Sequence, residues 1–291
     1  MATDATALGS YIRMRPLKPS ELPAHPTLAS LQTTGGPPEL QTFLATILEE
    51  GHNFITGYLP TNFKVKGRNR PSPPSTASVE LLEHEISAHD LPEDGRTLGA
   101  SEVWFARESI HENKAERGTA SWEEFDQGLR ADHSQHEKDY TPDVLDAHKV
   151  VDWKSELEAI GREAEGWKEV DCVLMEMMHN IPFPLNNRSF PVLVISAKKE
   201  QEFIDVQIPV DMSKIKESKY TNDSKVTTGM YCSIERGELI ENGKKVRWQM
   251  GAASDAKGNL PMWMQKLGTP PAVVKDVGLF MDWCAKQRGG K

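Results

Sequence analysis

The sequence has little of what marks several large classes of protein. Its three cysteines, Cys172, Cys232 and Cys284, lie far apart and form no Cys-x-x-Cys pair, which predicts a reducing compartment rather than a disulfide-rich secreted chain. No apolar run reaches the ~20 residues that a membrane-spanning helix needs. The N-terminus has no basic segment followed by an apolar one, so no secretory signal is predicted. We therefore expect a cytoplasmic protein.

Positive charge is also in short supply. The 291 residues include 34 Lys and Arg against 43 Asp and Glu, giving a formal net charge of −9 at pH 7. A chain of this sign has no general attraction for a phosphate backbone, so nucleic acid is not an expected partner. Apolar residues make up 38% of the chain, which is compatible with a globular protein.

Motifs for nucleotide, hydrolase and metal chemistry are missing. There is no phosphate-binding loop, no Gly-x-Gly-x-x-Gly and no Gly-x-Ser-x-Gly. His133 and His136 are three residues apart, which differs from the zinc-binding His-Glu-x-x-His pattern and leaves no clear third ligand. We interpret both as half-buried side chains that continue the apolar stripe of Trp122, Phe125 and Leu129. No cofactor and no metal are expected.

The first 96 residues are predicted to form an N-terminal extension, because they are rich in proline and poor in apolar periodicity. One short helix is expected at about residues 39–50, where apolar residues recur on one face and Gly51 provides a stop. Residues 70–78 contain three prolines and three serines, a composition that cannot bury a core. They predict a flexible loop or linker.

Residues 97–291 are predicted to form one α+β domain. Strand patterns occur at residues 102–110, 169–178, 190–197, 202–210, 229–238 and 245–253. The last five are joined by short links with turn residues, which predicts an antiparallel sheet.

Helices are predicted on both sides of this run of strands. Residues 121–165 begin with Ser121 as an N-cap and contain 13 acidic and 5 basic residues, which predicts a solvated helical layer. Residues 260–286 are predicted to be helical but broken at Gly268-Thr-Pro-Pro271.

Three features together resemble the START lipid-transfer superfamily, whose helix-grip fold is shared with plant Bet v 1 proteins. Residues 179–190 are similar to a strand–loop–strand segment of that superfamily with a Pro-x-Pro and an Asn-Arg pattern. Residues 255–263 are similar to its Asp-x-x-Gly-x-x-Pro link into the closing helix. The third feature is the order of helices, a long antiparallel run and a C-terminal helix. The match covers about residues 100–287, and residues 104–140 resemble a fungal START-like family without an assigned function.

The resemblance implies a curved antiparallel β-sheet that grips a long C-terminal helix around an apolar cavity. Alternation of apolar and polar residues along 246–253 independently predicts one apolar face there. The leading hypothesis is the binding, and transfer, of a hydrophobic small molecule such as a lipid or sterol. The candidate ligand-binding residues are Met175, Met177, His179, Arg188, Trp248, Met250, Trp263, Val274, Val277, Phe280 and Met281.

Charged residues in the predicted strands leave alternatives open. Arg188 either meets a phosphate or carboxylate head group or hydrogen-bonds loop carbonyls and holds the turn, and the second role is favoured. Arg107 and Glu108 are neighbours on a strand, so one of them faces inward and needs a partner. Asp205 and Arg236 on later strands are candidate partners, and structural ion pairing is the favoured account for them.

Two other functions are also considered. One is an enzyme of the polyketide cyclase or dehydratase type on the same fold, with His179, Arg188 and Glu108 as polar candidates. No catalytic residue is assigned, and a binding protein is favoured over an enzyme. The other is a protein-interaction module, for which the acidic segment is the only sign. We expect a monomer that contacts membranes transiently through its C-terminal helix, because residues 261–291 carry five basic and two acidic residues.

Overall fold

A computed structural model of the chain describes residues 8–32, 35–91, 101–259 and 262–289. The strands are β1 (Lys64–Arg70), β2 (Val79–Ile86), β3 (Glu102–Glu112), β4 (Val144–Asp152), β5 (Lys168–His179), β6 (Asn187–Lys198), β7 (Glu202–Pro209), β8 (Val226–Thr228), β9 (Met230–Ile240) and β10 (Lys245–Asp255). The α-helices are α1 (Leu40–Asn53), α2 (Leu59–Asn62), α3 (Trp122–Phe125), α4 (His133–Tyr140), α5 (Lys154–Ala159) and α6 (Met262–Gly289). Short 3-10 helices span Pro19–Glu21 and Pro26–Leu31, and π-helical turns span Phe54–Tyr58 and Asp126–Arg130.

The ten strands form one curved, open sheet. Their order is β1-β2-β3-β10-β9-β7-β6-β5-β4, with antiparallel pairing throughout, and the short β8 pairs in parallel with β6. The six strands predicted from the sequence correspond to β3, β5, β6, β7, β9 and β10. The prediction of an α+β fold in which a curved antiparallel sheet grips a C-terminal helix is confirmed.

The sheet also contains strands from the predicted N-terminal extension. β2 pairs with β3 from Val79 opposite Ser109 to Ile86 opposite Glu102, and β1 pairs with β2. The division expected between residues 96 and 97 therefore does not separate an extension from the sheet, which corrects that expectation. β1 was not predicted from the sequence because almost all of its residues are exposed at the sheet edge and show no apolar alternation.

Helix α1 covers the range expected to be helical and continues beyond it. The Glu39 carboxylate caps its start by accepting from the backbone N–H groups of Gln41 and Thr42. Gly51 does not end the helix but lies within it, packed against β7. A Cβ at this position would lie 2.8 Å from Cγ2 of Val206, so the absence of a side chain allows the close approach of helix and sheet.

The proline- and serine-rich segment connects β1 to β2 and is anchored to α6. Ser72 is buried, and its hydroxyl accepts a hydrogen bond from the backbone N–H of Gly278 at 2.8 Å. A Cβ on Gly278 would lie 2.4 Å from the carbonyl oxygen of Pro73. The segment is therefore a loop held against the C-terminal helix rather than a linker between two domains.

Helix α6 is continuous, which corrects the predicted break at residues 268–271. Pro270 and Pro271 lie inside the helix and lack the N–H groups that would bond to the carbonyls of Lys266 and Leu267. Leu267 is strongly exposed, so water has access to this stretch of backbone. The Thr269 hydroxyl adds a local bond by donating to the carbonyl of Gln265 at 2.9 Å.

The acidic segment contains an edge strand as well as helices. Ser121 caps α3 as predicted, and it forms a reciprocal capping box with Glu124. β4 was missed in the predicted helical layer because most of its side chains are partly exposed and no clear apolar face repeats along it. Among the described residues no helix is both long and apolar enough to cross a membrane.

The sheet separates two buried apolar regions. On one face, which we call the α1 face, α1 and the N-terminal segment pack against side chains such as Ile204 and Val206 of β7. On the opposite face, which we call the α6 face, Phe125 of α3 and Phe280 of α6 pack against Trp248 of β10. Because successive side chains of a strand point to opposite faces, the same strands supply both regions.

Candidate functional site

A cavity of about 410 Å³ lies on the α6 face, lined by α4, by strands β3, β5, β6, β7, β9 and β10, and by α6 between Met264 and Leu279. Its volume is in the range of about 300–1,000 Å³ that is usual for small-molecule pockets. The apolar part of its wall includes Met177, Phe190, Met250, Ala252, Val273 and Leu279.

The outer end of the cavity reaches the loop between β5 and β6 and the first turns of α6. Asn180 and Ile181 of the loop and Met264 of the helix line it. Two nearby apolar side chains are unusually exposed: Phe183, in the same loop, is 95% exposed, and Leu267, on the first turns of α6, is 68% exposed. Exposed apolar side chains of this size next to a cavity opening are typical of a surface that contacts another apolar phase.

Arg107 of β3 is buried in the inner part of the cavity. Its Nη2 donates to Oε1 of Glu235 at 3.0 Å, and its guanidinium lies 4.0 Å from the centre of the Trp248 ring. The indole Nε1 of Trp248 donates to the same Glu235 oxygen at 2.7 Å. Nε and Nη1 of Arg107 have no hydrogen-bond partner among the described residues. The charge of Arg107 is therefore matched, while two of its nitrogens remain available to a ligand.

His133 of α4 lines the same inner end and is surrounded by carboxylates. Its Nε2 lies 3.7 Å from Asp205 and 3.8 Å from Glu137, and its Nδ1 lies 3.9 Å from Glu235. Burial alone would lower the pKa of His133, but these carboxylates raise it to about 9. The imidazole therefore carries a positive charge at neutral pH.

Three of the surrounding carboxyl groups bind protons more tightly than usual. Burial, reinforced by neighbouring carboxylates, raises the pKa of Asp276 on α6 to about 7 and that of Asp205 on β7 to about 7. The same causes raise the pKa of Glu137. Both oxygens of Asp205 are buried and have no hydrogen-bond partner among the described residues. The inner end of the cavity is thus rich in poorly satisfied negative charge.

Glu176 of β5 provides a contrast within the same protein. It is fully buried, but its carboxylate accepts hydrogen bonds from the Ser218 hydroxyl, the Thr221 hydroxyl and the backbone N–H groups of Lys219 and Tyr220. This carboxylate is used to hold a loop in place. Among the described residues no such shell of donors surrounds Glu137 or Asp276, and both face the cavity instead.

Three of the ligand-binding residues predicted from the sequence line the cavity: Met177, His179 and Met250. Burial lowers the pKa of His179 to about 4, so this histidine is neutral at neutral pH. Met175, two residues before Met177, lines a separate cavity of about 200 Å³ that also contacts His133. The methionine-rich segment of β5 therefore contributes to two neighbouring cavities.

Five other predicted residues lie in the packed core of the α6 face and do not line the cavity, which corrects their expected position. They are Trp248, Val274, Val277, Phe280 and Met281. The physical reason is that α6 presents two different faces: Val274, Val277 and Met281 recur at helical spacing in the packed cluster, whereas the lining residues Gln265, Ala272 and Asp276 recur on another face. The side chain of Trp263 lies outside the described residues.

Arg188 is buried and directed at backbone carbonyls. Its guanidinium donates to the carbonyl oxygens of Asn186, Ala256 and Lys257, and it does not line the cavity. This is the turn-holding arrangement that the sequence favoured, and it ties the start of β6 to the segment between β10 and α6. The head-group contact expected as an alternative has no counterpart in this geometry.

Of the neighbouring residues Arg107 and Glu108, it is Arg107 whose side chain faces inward. Its partner is Glu235, which corrects the expectation of Asp205 or Arg236. Asp205 lies beside His133 instead, and Arg236 pairs with Glu202 at 2.6 Å. Glu108 lies on the other side of the strand and accepts from the Gln249 amide at 2.8 Å.

Only part of the polar group at the inner end of the cavity has a usable signal in the sequence. The residues that the sequence analysis missed are Glu137, Tyr140, Glu235 and Asp276. Asp276 lies three residues after Val273 and four before Phe280, so it is an acidic residue within the apolar stripe of a helix. His133, Glu137 and Tyr140 have a helical spacing that places them on one face of α4. A polar residue inside a buried stripe is the pattern that identifies such positions.

Neither metal nor thiol chemistry has an assembled site in the part of the chain that the structure describes. No group of three histidine, cysteine or carboxylate side chains there is arranged to hold a metal ion. Cys172, Cys232 and Cys284 are free and buried. Burial raises the pKa of all three thiols, that of Cys284 to about 12, so they stay protonated and poorly reactive.

Comparison with known proteins agrees with this architecture. A family model described as "Protein of unknown function (DUF3074)" matches residues 104–284. A search of curated proteins found no match. Human STARD10 is similar in structure, with 15% identity, 79% of this chain and 76% of that chain covered, and a TM-score of 0.52. Human StAR-related lipid transfer protein 5 has 12% identity, 86% and 100% coverage, and a TM-score of 0.55. The predicted START-like helix-grip fold is confirmed.

Proposed function

The chain belongs to the DUF3074 family of proteins of unknown function and has a START-like fold, and from this we propose that it binds a hydrophobic small molecule, such as a lipid or sterol, between the sheet and α6. The observation that carries the proposal is the cavity of about 410 Å³. Its wall is mostly apolar, and the charged groups Arg107, His133 and Glu235 lie together at its inner end. A ligand with an apolar body and one polar head matches this distribution, because the few polar groups of such a pocket fix its orientation.

Methionines on two strands favour a ligand of irregular apolar shape. Met177 of β5 and Met250 of β10 line the cavity from different strands of the sheet. Methionine is unbranched and polarizable, so it adapts to apolar ligands at little steric cost. StAR-related lipid transfer protein 5, one of the structures with this fold, is described as a lipid transfer protein. Lipid binding by the present chain is our proposal from the cavity and the shared fold.

Transfer of the ligand at a membrane is the finer part of the proposal. Of the exposed apolar side chains Phe183, Met264 and Leu267, Met264 lines the outer end of the cavity, where a ligand would leave, and the other two are close in sequence to lining residues. They belong to the β5–β6 loop and to the first turns of α6, so insertion of this rim into a bilayer would bring the cavity opening to the acyl chains. A cytoplasmic location, a monomeric state and a fungal origin of the family stay predictions from the sequence.

Lipid uptake by purified protein tests the binding proposal. The full chain is incubated with vesicles made from a total lipid extract, re-isolated, and analysed by native mass spectrometry and by solvent extraction. We expect close to one bound lipid per chain. The variant Ala272→Trp fills the cavity from α6, where Ala272 is exposed to the open space, and is expected to reduce uptake about tenfold or more.

The matched control is Ala285→Trp on the same helix. Ala285 does not line the cavity and is partly exposed, so the added indole is tolerated and uptake stays at the level of the unchanged protein. Absence of bound lipid in the unchanged protein, or equal uptake by both variants, would contradict binding in this cavity. Thermal unfolding of both variants verifies that each one is folded.

A catalytic role of the same cavity, of the polyketide cyclase or dehydratase type, is the second candidate. The observation in its favour is that His179 and several carboxyl groups with shifted pKa values line the cavity. Carboxyl groups that titrate near neutrality are suited to accept and return protons. Arg188 and Glu108, the other polar candidates from the sequence, do not line the cavity. Mass analysis of the extracted ligand after long incubation distinguishes the two roles: binding leaves its mass unchanged, whereas dehydration removes one water.

A further inference from the structure

The inner end of the cavity contains more carboxylates than cations. Glu137, Glu235 and Asp276 line it. Oδ1 of Asp205 lies 3.7 Å from Nε2 of His133. The cations in contact with these carboxylates are His133 and Arg107. Two further charged residues, Asp143 and Lys275, also border the cavity, but both are exposed to solvent and have opposite signs. Four buried or half-buried acids therefore surround two cations.

Protons compensate for this excess when no ligand is bound. Burial, against the opposing charge of Arg107 and with the help of Glu137 and Glu235, raises the pKa of Asp276 to about 7, although Lys275 also lowers it. Burial also raises the pKa of Glu137. Neutralisation by a proton is the usual response of a buried carboxylate without a partner. A bound cation replaces the proton and gains the full attraction of the carboxylates at low local dielectric.

Aromatic rings border the same part of the cavity. Tyr140 of α4 and Tyr231 of β9 line it together with Glu137 and Asp276. Burial raises the pKa of both tyrosines, so their rings stay neutral. The face of such a ring attracts an ammonium group and repels an anion. The rings and the carboxylates thus favour the same sign of ligand charge.

Arg107 contributes a second, independent observation that points to a ligand. It is 97% buried, lines the cavity, and has Nε and Nη1 without a hydrogen-bond partner among the described residues. Buried donors of this kind are costly unless an acceptor reaches them. An anionic acceptor here would be repelled by Glu235 and Asp276. A neutral oxygen would accept from Arg107 without that repulsion.

We propose that the cavity binds a hydrophobic amine whose protonated nitrogen contacts the carboxylates of Glu137 and Asp276 and whose adjacent hydroxyl or carbonyl oxygen accepts hydrogen bonds from Arg107. The apolar tail of this ligand lies along Met177 and Met250 toward the outer end of the cavity. This inference rests on the proposed function, since it names the ligand class of the same cavity.

Four dodecyl compounds that differ only in their head group test the inference. Dodecylamine, 2-amino-1-dodecanol, dodecanol and dodecanoate are titrated into the full chain at pH 8 by calorimetry. We expect the amine to bind about tenfold or more tightly than the carboxylate and the alcohol, and the amino alcohol to bind more tightly than the amine. A carboxylate or alcohol that binds as tightly as the amine overturns the inference but leaves hydrophobic binding intact. Failure of all four compounds to bind overturns the proposed function itself.

The pH dependence supplies a second readout. Asp276 must lose its proton to pair with the amine, and it faces Arg107, Glu137, Glu235 and Lys275. The affinity for dodecylamine is therefore expected to rise between pH 5.5 and pH 8, a range in which an alkyl amine stays protonated. Affinity for dodecanol is expected to change less than twofold. Amine affinity that is flat or falls over this range overturns the inference.

Substitution of the carboxylates localises the effect. Asp276→Asn and Glu137→Gln are each expected to weaken dodecylamine binding about tenfold while leaving dodecanol binding within twofold. The matched control is Asp282→Asn, which removes an acid from the solvent side of the same helix, where it pairs with Lys286. Equal weakening of amine and alcohol by Asp276→Asn, or equal amine affinity in all three variants, overturns the inference.

Discussion

The two faces of the sheet are made by the same strands but bury different chemistry. On the α1 face, Leu44 and Leu48 of α1 are completely buried in a continuous apolar cluster. A buried carboxylate of that face, Glu102, accepts from the backbone N–H of Met14 at 2.8 Å and from the indole of Trp104 at 2.9 Å. On the α6 face, the inner end of the cavity keeps carboxylates without such donors. One face is organised for stability, and the other sacrifices packing and hydrogen bonds at a place where a ligand can restore them.

A single strand shows how the two environments are kept apart. In β7, Ile204, Val206 and Ile208 point to the α1 face, while Asp205 and Gln207 point to the α6 face. A shift of one residue in the pairing would place the polar side chains in the apolar cluster. The register of β7 with β6 and β9 therefore protects the site as well as the core.

Among the changes considered, removal of α6 is expected to have the largest effect on stability, because it takes away the element that covers the α6 face. A chain that ends at residue 261 loses Val273, Val277, Phe280 and Met281, which are buried against the sheet. Burying each such side chain is worth about 1.5–3 kcal/mol, against a typical net stability of about 5–15 kcal/mol. We expect no cooperative unfolding transition by circular dichroism. A truncated chain that melts cooperatively and still binds lipid would show that α6 neither completes the core nor closes the cavity.

Truncation of one side chain on each face sharpens the comparison. Leu44→Ala on the α1 face is expected to lower the free energy of unfolding by about 2–5 kcal/mol, because it opens a void in a filled core. Met250→Ala is expected to cost less, since Met250 already borders open space. Urea unfolding of the two variants measures the difference. Equal losses would mean that the α6 face is packed as fully as the α1 face.

A methyl group at Gly278 tests the contact between α6 and the β1–β2 loop. The added Cβ would lie 2.4 Å from the Pro73 carbonyl oxygen, so the helix or the loop backbone must move, at a cost of about 1–3 kcal/mol. Gly268→Ala is the control, because a Cβ there has no neighbour within 4 Å among the described residues. Helix propensity makes that change neutral or slightly stabilising. A loss of stability limited to Gly268→Ala would contradict the observed packing.

The smallest expected effect is a pH dependence of stability without ligand. The folded-state pKa of Asp276, about 7, lies above its ordinary value of 3.8, so the folded chain holds this proton where the unfolded chain has released it. Stability therefore falls as the pH rises from about 4 to 7. His133, with a folded-state pKa of about 9 against 6.5, adds a loss of stability as the pH rises from about 6.5 through 9.

Asp276→Asn is expected to remove part of this slope. The variant should unfold at a higher urea concentration than the unchanged protein at pH 8 and by a smaller margin at pH 5, because most of the proton-linked loss of stability of the unchanged protein lies between these two pH values. Asp282→Asn on the exposed side of α6 serves as the comparison. If Asp276→Asn increased the urea concentration of unfolding equally at both pH values, the cause would be packing rather than proton uptake.

Most of the sheet was predictable because its signal is local. Strands β5, β6, β7, β9 and β10 combine apolar alternation with turn residues at their ends, and the observed strands match the predicted ones to within a few residues. β1 and β4 lie at the two edges of the sheet and expose many side chains on both faces, so their sequences carry no such pattern. β1 and β2 also flank the proline-rich segment that indicated a loop or linker.

Sequence alternation identifies a buried face, but it does not say whether the space in front of that face is filled. Trp248 and Met250 lie on the same face of β10, and one is packed while the other borders the cavity. The distance between the sheet and α6 decides between these two outcomes, and that distance depends on the curvature of the whole sheet.

Only the tertiary structure decided which charged residues meet in the site. Arg107, His133, Glu235 and Asp276 come from β3, α4, β9 and α6, and a local pattern that marks one of them as buried does not name its partners. Their interaction depends on the strand order that places β3 and β9 on either side of β10, and on α4 and α6 covering the same face. Local chemistry determined which residues form strands and helices. Long-range pairing determined which charges share a cavity, because electrostatic interactions in a buried site depend on distances in space and not on separation along the chain.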